Sequence, residues 1–258
     1  MTAGGRPRIL TPSPIAVREL CCKSALTPSR IPGIDYALNP YVGCAHGCRY
    51  CYADFMRRFT GHSEAWGTFV DVRVNAPQKL AKELERTRPG VVSLSTVTDP
   101  YQPLEARYRL TRACLEILAR WPFQVSILTK SPLVTRDIDV LRSIEECEVG
   151  LTITTDDEHE QVRRLFEPRA PNIVARLNAL SRLKKAGLTT YAFVGPALPM
   201  NPHRLASLLQ GLVDEVLVDR MNYAHKVVSI YRRHGLMRFL SEEYFAEVQE
   251  ALSGVGVW

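Results

Sequence analysis

Asn39-Pro40-Tyr41-Val42-Gly43-Cys44-Ala45-His46-Gly47-Cys48-Arg49-Tyr50-Cys51-Tyr52-Ala53 carries three thiols at i, i+4 and i+7 on a short loop punctuated by glycine. Thiolates are soft donors, the kind that zinc and iron–sulfur clusters select. A [4Fe–4S] cube is closed by a ligand on every iron, and the local set stops at three. One iron is then left with a free coordination position, as a catalytic metal keeps one. Structural zinc is the other reading of such a loop, and it wants a fourth ligand at zinc spacing. His46 inside the loop and the distant His62 complete no recognisable finger. Tyr36 to Val42, just ahead of the thiols, reads as a short strand that delivers the loop.

Outward from the loop, strand and helix patterns alternate. Trp66 to Val74 is extended, with Val70, Val72 and Val74 on one period-2 face. Residues 91–96, 125–129, 149–155, 188–194 and 215–218 read as further strands. Helical patterns cover 76–88, 105–120, 132–144, 158–166, 172–186, 203–212, 224–234 and 241–252. Pro77 suits a first helical turn, and Gly187 is a C-terminal stop. About six strands, each followed by helix, imply parallel strands joined by right-handed crossovers. Val149-Gly-Leu-Thr-Ile-Thr and Val91-Val-Ser-Leu-Ser interleave small hydroxyl residues with apolar ones, as barrel strands facing a polar interior do. The fold class expected is therefore α/β, a partial (β/α)6 TIM-type barrel, with a doubly wound open sheet as the alternative. In either, the site lies at the carboxyl ends of the strands. An extended N-terminal arm over 1–35, a barrel core over 36–220 and a C-terminal helical segment over 221–258 complete the expected organisation.

The 258 residues are enough for one large core, and 46% hydrophobic with 23% charged residues is a soluble globular composition. No apolar run approaches the length of a membrane span. Met1 to Pro14 is polar and rich in proline and glycine, without a secretory core, so a cytoplasmic location is expected. Seven cysteines, three of them clustered, read in a reducing compartment as metal chemistry rather than disulfides. A net charge of +6 fits a mildly basic enzyme or a protein that meets nucleic acid. Basic residues are spread along the chain, so charge alone does not choose.

The Cys-x3-Cys-x2-Cys spacing followed by Tyr52 resembles the signature of the radical S-adenosylmethionine superfamily. The longer stretch from Asn39 to Ala53 is similar to the branch related to spore photoproduct lyase, also called DNA repair photolyase-like. Three further stretches fit that branch in order. They are Thr98-Asp99-Pro100-Tyr101-Gln102-Pro103-Leu104-Glu105, Leu128-Thr129-Lys130-Ser131, and Glu167-Pro168-Arg169-Ala170-Pro171 with Arg176-Leu177. The resemblance covers roughly residues 30–200. It implies the same partial barrel and an enzyme that cleaves S-adenosylmethionine reductively at a [4Fe–4S] cluster, giving a 5′-deoxyadenosyl radical that abstracts hydrogen from a substrate. Cys44, Cys48 and Cys51 would be the ligands. Cofactor contacts are implied for Tyr52, Thr98, Asp99, Lys130, Thr152, Thr154 and Arg176. Four of them have a plainer reading: packing for Tyr52, a turn cap for Asp99, a solvated lysine for Lys130, a helix-surface ion pair for Arg176. An electron donor such as flavodoxin or ferredoxin is implied as partner. The substrate is open, with nucleic acid among the classes.

One departure concerns hydrogen return. In the lyase, a cysteine just ahead of the Ser/Thr-Asp element hands a hydrogen atom to the product radical, and Thr96 stands at that place here. A hydroxyl O–H is too strong a bond for that task. Cys114 and Cys147 read as structural, and Tyr191, Tyr223 and Tyr231 are relay candidates of equal standing. Two alternatives remain: a DNA lesion lyase, and a non-catalytic metal or iron–sulfur protein that binds nucleic acid.

Overall fold

Apolar alternation sets one face of each central strand. Val125 and Ile127, Val149 and Leu151, and Ala192 and Val194 are buried in one core with Leu177, Leu180 and Leu183 of the helix Ile173–Lys185. Each such leucine contributes about 2 kcal/mol by leaving water. Asn172 starts that helix, its side chain accepting from the Ala175 N–H at 2.7 Å, and Gly187 follows its end at φ +80°. The structure is a computed structural model and describes residues 15–256. The Met1 to Pro14 stretch, on which the secretory reading rests, lies outside the described residues.

The strands are β1 Ala16–Leu20, β2 Leu26–Pro28, β3 Tyr36–Leu38, β4 Tyr41–Val42, β5 Phe69–Arg73, β6 Val91–Leu94, β7 Gln124–Thr129, β8 Cys147–Thr152, β9 Thr189–Val194 and β10 Glu215–Val218. A seven-stranded sheet runs β10-β9-β8-β7-β6-β3-β2. From β3 to β10 every neighbouring pair is parallel, and β2 adds antiparallel at one edge. Six parallel strands in sequential order, with β10 and β3 unpaired to each other, make the expected partial barrel, open rather than closed. On the inner face, the ring of Tyr191 fills the space beside Gly150, where an added Cβ would stand 2.2 Å from it. Its hydroxyl donates to the Ile127 carbonyl at 3.1 Å, which engages one of the relay candidates in packing.

Five elements differ from expectation. The Tyr36 to Val42 run divides at Asn39-Pro40 into β3, in the barrel sheet, and β4, in a separate one. The extended stretch around Val70 and Val72 leaves the barrel: β5 pairs with β1 and β4 in a separate three-stranded sheet. The helix expected over 105–120 breaks at Arg109, whose φ is +52°. There the buried Glu105 carboxylate accepts the Thr111 N–H at 3.0 Å, so a side chain replaces a helical carbonyl as acceptor. The stretch after β7 begins as a 3-10 turn, Pro132–Asp137, before the short helix Ile138–Leu141. Past β10, residues 224–226 form a 3-10 turn ahead of the helix Val228–Arg233. The final helix, Glu242–Leu252, packs Tyr244, Val248 and Leu252 into the main core. No helix among the described residues is long and apolar enough to cross a membrane.

Candidate active site

The cysteine loop leaves β4 through Gly43, at φ +87°, where an added Cβ would lie 2.5 Å from the Phe69 carbonyl oxygen. Only glycine lets the chain turn that close to β5. Side chains from the loop after β6 then hold the cysteine loop. Gln102 accepts from the Ala45 N–H at 3.0 Å, and the Thr98 hydroxyl donates to the Gly43 carbonyl at 2.5 Å. On the far side the Arg49 N–H donates to Phe166 O at 2.8 Å, and the Arg169 N–H to His46 O at 3.3 Å. The thiols are thus fixed from both sides of the barrel mouth.

All three cysteines are free, and all three line one cavity of about 240 Å³ at the carboxyl ends of the strands. Tyr52, Thr98, Asp99, Lys130 and Thr152 line it with them. Thr154 and Arg176 are fully buried and lie outside that lining. Ser95, Phe193 and the stretch Asp219 to Tyr223 also line it. Those positions carry no motif in the sequence. Ser95 sits at φ +68°, with its hydroxyl buried and without a partner among the described residues, and no pattern in the sequence signals a left-handed serine.

Asp99 holds the ends of two strands together. Its carboxylate accepts from the Thr129 hydroxyl at 2.6 Å, the Lys130 N–H at 2.8 Å and the Tyr101 N–H at 2.9 Å, and lies 3.4 Å from His46 Nδ1. Burial works to raise its pKa, but His46 and these donors outweigh it and hold the carboxyl down at about 2. The bond to Tyr101 N is the turn cap expected of Asp-Pro, and the rest of the carboxylate ties β6 to β7.

Beneath Cys48 lies a buried charge cluster. Glu167 accepts from the Tyr50 hydroxyl and from the Arg176 guanidinium, and Lys130 Nζ stands 3.8 Å from its carboxylate. Burial raises the Glu167 pKa and the two cations overcome it, leaving the group at about 2. Arg176 also donates to the carbonyls of Thr152 at 2.9 Å and Pro171 at 3.0 Å. Its guanidinium is consumed under the cavity floor, in a buried pair rather than a surface one. Lys130 is the cation of this cluster that reaches the cavity. Burial opposes its charge, but the Cys48 sulfur and Glu167 outweigh burial and hold its pKa above the usual value. The Tyr52 hydroxyl donates to the Thr96 carbonyl, and its ring stacks on Phe55 at 6.5 Å and Tyr223 at 6.2 Å.

Among the described residues no three His, Cys, Asp or Glu side chains gather around a single point as one metal ion requires. In a cube each thiolate takes a different iron, so the sulfurs need not converge. Three free thiols around one cavity, with His46 turned to Asp99, fit a cluster with an open iron. Burial pushes the Cys44 and Cys51 thiols up and Cys48 to about 12, so metal binding must displace their protons.

The Radical SAM superfamily model matches residues 38–210. An uncharacterised protein of Methanocaldococcus jannaschii is 35% identical over 187 residues, covering 72% of this chain and 70% of that one. An uncharacterised protein of Mycobacterium tuberculosis is 33% identical over 195 residues, covering 72% of this chain and 57% of its own length. The chain therefore spans little more than half of that relative. A solved structure of a spore photoproduct lyase double mutant, with bound AdoMet and dinucleoside spore photoproduct, superposes with a TM-score of 0.59 at 16% identity, covering 85% of this chain and 66% of that one. At that identity the likeness is one of fold.

Proposed function

The chain belongs to the Radical SAM superfamily, and from that premise we propose that it cleaves S-adenosylmethionine reductively at a [4Fe–4S] cluster held by Cys44, Cys48 and Cys51. The observation that carries this is the placing of three free thiols on one cavity wall, inside the span that the family matches. When bound, the cluster and S-adenosylmethionine supply a 5′-deoxyadenosyl radical for hydrogen abstraction. The chain's own residues bind and orient. Lys130 offers its ammonium to the cofactor carboxylate or ribose, and Tyr52 offers an aromatic face beside the last ligand. Thr152 lines the wall and would offer its hydroxyl to the cofactor's ribose. Thr98 and Asp99 hold the loop and the strand ends in register, so their part is to fix the geometry. Thr154 and Arg176 act from beneath. The chain is assigned to the cytoplasm, with flavodoxin or ferredoxin as electron donor. The arm at 1–35 and the helices at 221–258 are taken as additions to the 36–220 core.

The substrate reading that the surface favours is nucleic acid. Tyr52 and Tyr223 line the cavity, and from them a continuous aromatic run extends through Phe55 to Phe59, with all four rings exposed. Such a run is a stacking platform for unpaired bases. The lyase of similar fold was solved with a dinucleoside lesion, which supports the class. Thr96, where the lyase has its hydrogen-donating cysteine, argues against the same repair reaction.

Metal analysis tests the cluster. Anaerobic reconstitution is expected to load about four irons and as many sulfides per chain, with an electron paramagnetic resonance signal that shifts when S-adenosylmethionine is added. One zinc per chain and no sulfide would overturn this reading in favour of a non-catalytic metal protein.

A further inference from the structure

The cysteine loop has a second side. Away from the cavity it borders an outer groove of about 410 Å³, lined by Arg49, Asp54, Lys226, Ser229 and Arg233 among others. Cys48, Cys51 and Trp66 line both the inner cavity and this groove. One layer of loop therefore separates a group held by the thiols from solvent on this side. The groove's charge is lopsided. Lys226 donates to Asp54 at 2.6 Å and to the Cys51 carbonyl at 2.7 Å, which neutralises the groove's carboxylate and pins the loop. That leaves Arg49 and Arg233 as its exposed cations. Arg57 and Arg58 on the 3-10 helix Tyr52–Phe59, which also carries Asp54, and Arg232 beside Arg233 on the helix Val228–Arg233 are exposed as well.

We propose that this groove is the docking surface for an acidic one-electron donor protein, with Arg49 and Arg233 as its contacts. The inference rests on the cluster reading above. Electron transfer falls steeply with distance, so a donor must reach the surface nearest the metal, and the wall formed by Cys48, Cys51 and Trp66 is that surface. The step moves one electron and no atoms: a flavin hydroquinone on the donor is oxidised to its semiquinone, and the cluster is reduced from its 2+ to its 1+ state. A small, charge-steered and short-lived contact suits such an encounter. Its rate falls as salt screens the two faces. A nucleic-acid backbone would also meet arginines here. The groove, however, opens on the metal's side of the loop, with no reactive cavity behind it other than through the thiols.

The test uses the full chain reconstituted with iron and sulfide, as wild type, Arg233→Glu and Arg49→Glu/Arg233→Glu. Cluster reduction is followed by loss of visible absorbance with two reductants, sodium dithionite and a reduced acidic flavodoxin. Binding of oxidised flavodoxin is titrated separately. The double variant is expected to load iron and react with dithionite as wild type does. With flavodoxin it is expected to be slower by about tenfold or more and to bind correspondingly weaker, with the single variant in between. Equal flavodoxin rates in all three proteins would overturn the proposal, as would an equal loss with both reductants, which marks a structural defect. Weakened binding of a single-stranded oligonucleotide with flavodoxin unaffected would overturn it in favour of a nucleic-acid surface. Failure of the wild type to take up iron and sulfide is read before any reductant is added, and it overturns the cluster reading itself.

Discussion

Glu167 gathers Arg176 and Lys130 around one buried carboxylate. Its place in Glu-Pro-Arg-Ala-Pro, with Arg176 nine residues on, was visible in the sequence, but its pairing with that arginine was not, and its other partner Tyr50 is distant along the chain. Arg176→Met should strand a fully buried carboxylate and cost about 3–5 kcal/mol of stability in urea denaturation. A loss under 1 kcal/mol would show the pair to be dispensable. The same carboxylates set an acid limit. Asp99 and Glu167 are held near pKa 2, below their ordinary 3.8 and 4.5. Their contribution is full above the ordinary values and is lost as pH falls towards 2. Urea midpoints should therefore drop between pH 4.5 and 2, and Asp99→Asn, less stable at pH 6, should drop by less over that window. Parallel curves for the two proteins would contradict this. The three cysteines were legible because their spacing is local. Ser95 was not, because a left-handed serine depends on the packing of the strand ends around it.

At the scale of elements, the cysteine loop is held by close backbone approaches. An added Cβ at Gly67, whose φ is +91°, would stand 2.5 Å from the Gly47 Cα. Gly67→Ala should cost about 1–3 kcal/mol and loosen iron retention. Gly187→Ala, strained at φ +80° but in open space, should cost stability and keep the iron. Equal iron loss in both would show that the contact with Gly47 is irrelevant. The aromatic run of Tyr52, Phe55, Phe59 and Tyr223 is tested by its affinity for unpaired bases. Phe55→Ala and Tyr223→Ala should each weaken single-stranded oligonucleotide binding by about 1–3 kcal/mol, measured by fluorescence anisotropy. Unchanged affinity would remove the nucleic-acid reading. Neither feature was legible. Sequence periodicity shows that β5 is a strand, but not which sheet it joins, because a period of two is the same in both. The helix break at Arg109 was hidden too, since it depends on Glu105 being buried beside Tyr41.

For the whole molecule, the alternation of strand and helix was enough to give six parallel strands in sequential order, and crossover handedness left few ways to arrange them. What the alternation did not give is the wall contributed by Asp219 to Tyr223, which follows the last strand and closes over the cavity without a motif of its own. The open barrel gathers the cysteine loop, the ends of β6 to β9 and that late segment around one space. Reductive cleavage of S-adenosylmethionine is the reaction proposed for this space. The most direct measurement is product analysis after anaerobic incubation of the cluster-loaded chain with S-adenosylmethionine and dithionite. The wild type is expected to give 5′-deoxyadenosine and methionine, and Cys48→Ala neither. A chain that holds its iron and sulfide, binds S-adenosylmethionine and yields no 5′-deoxyadenosine would contradict the proposed reaction.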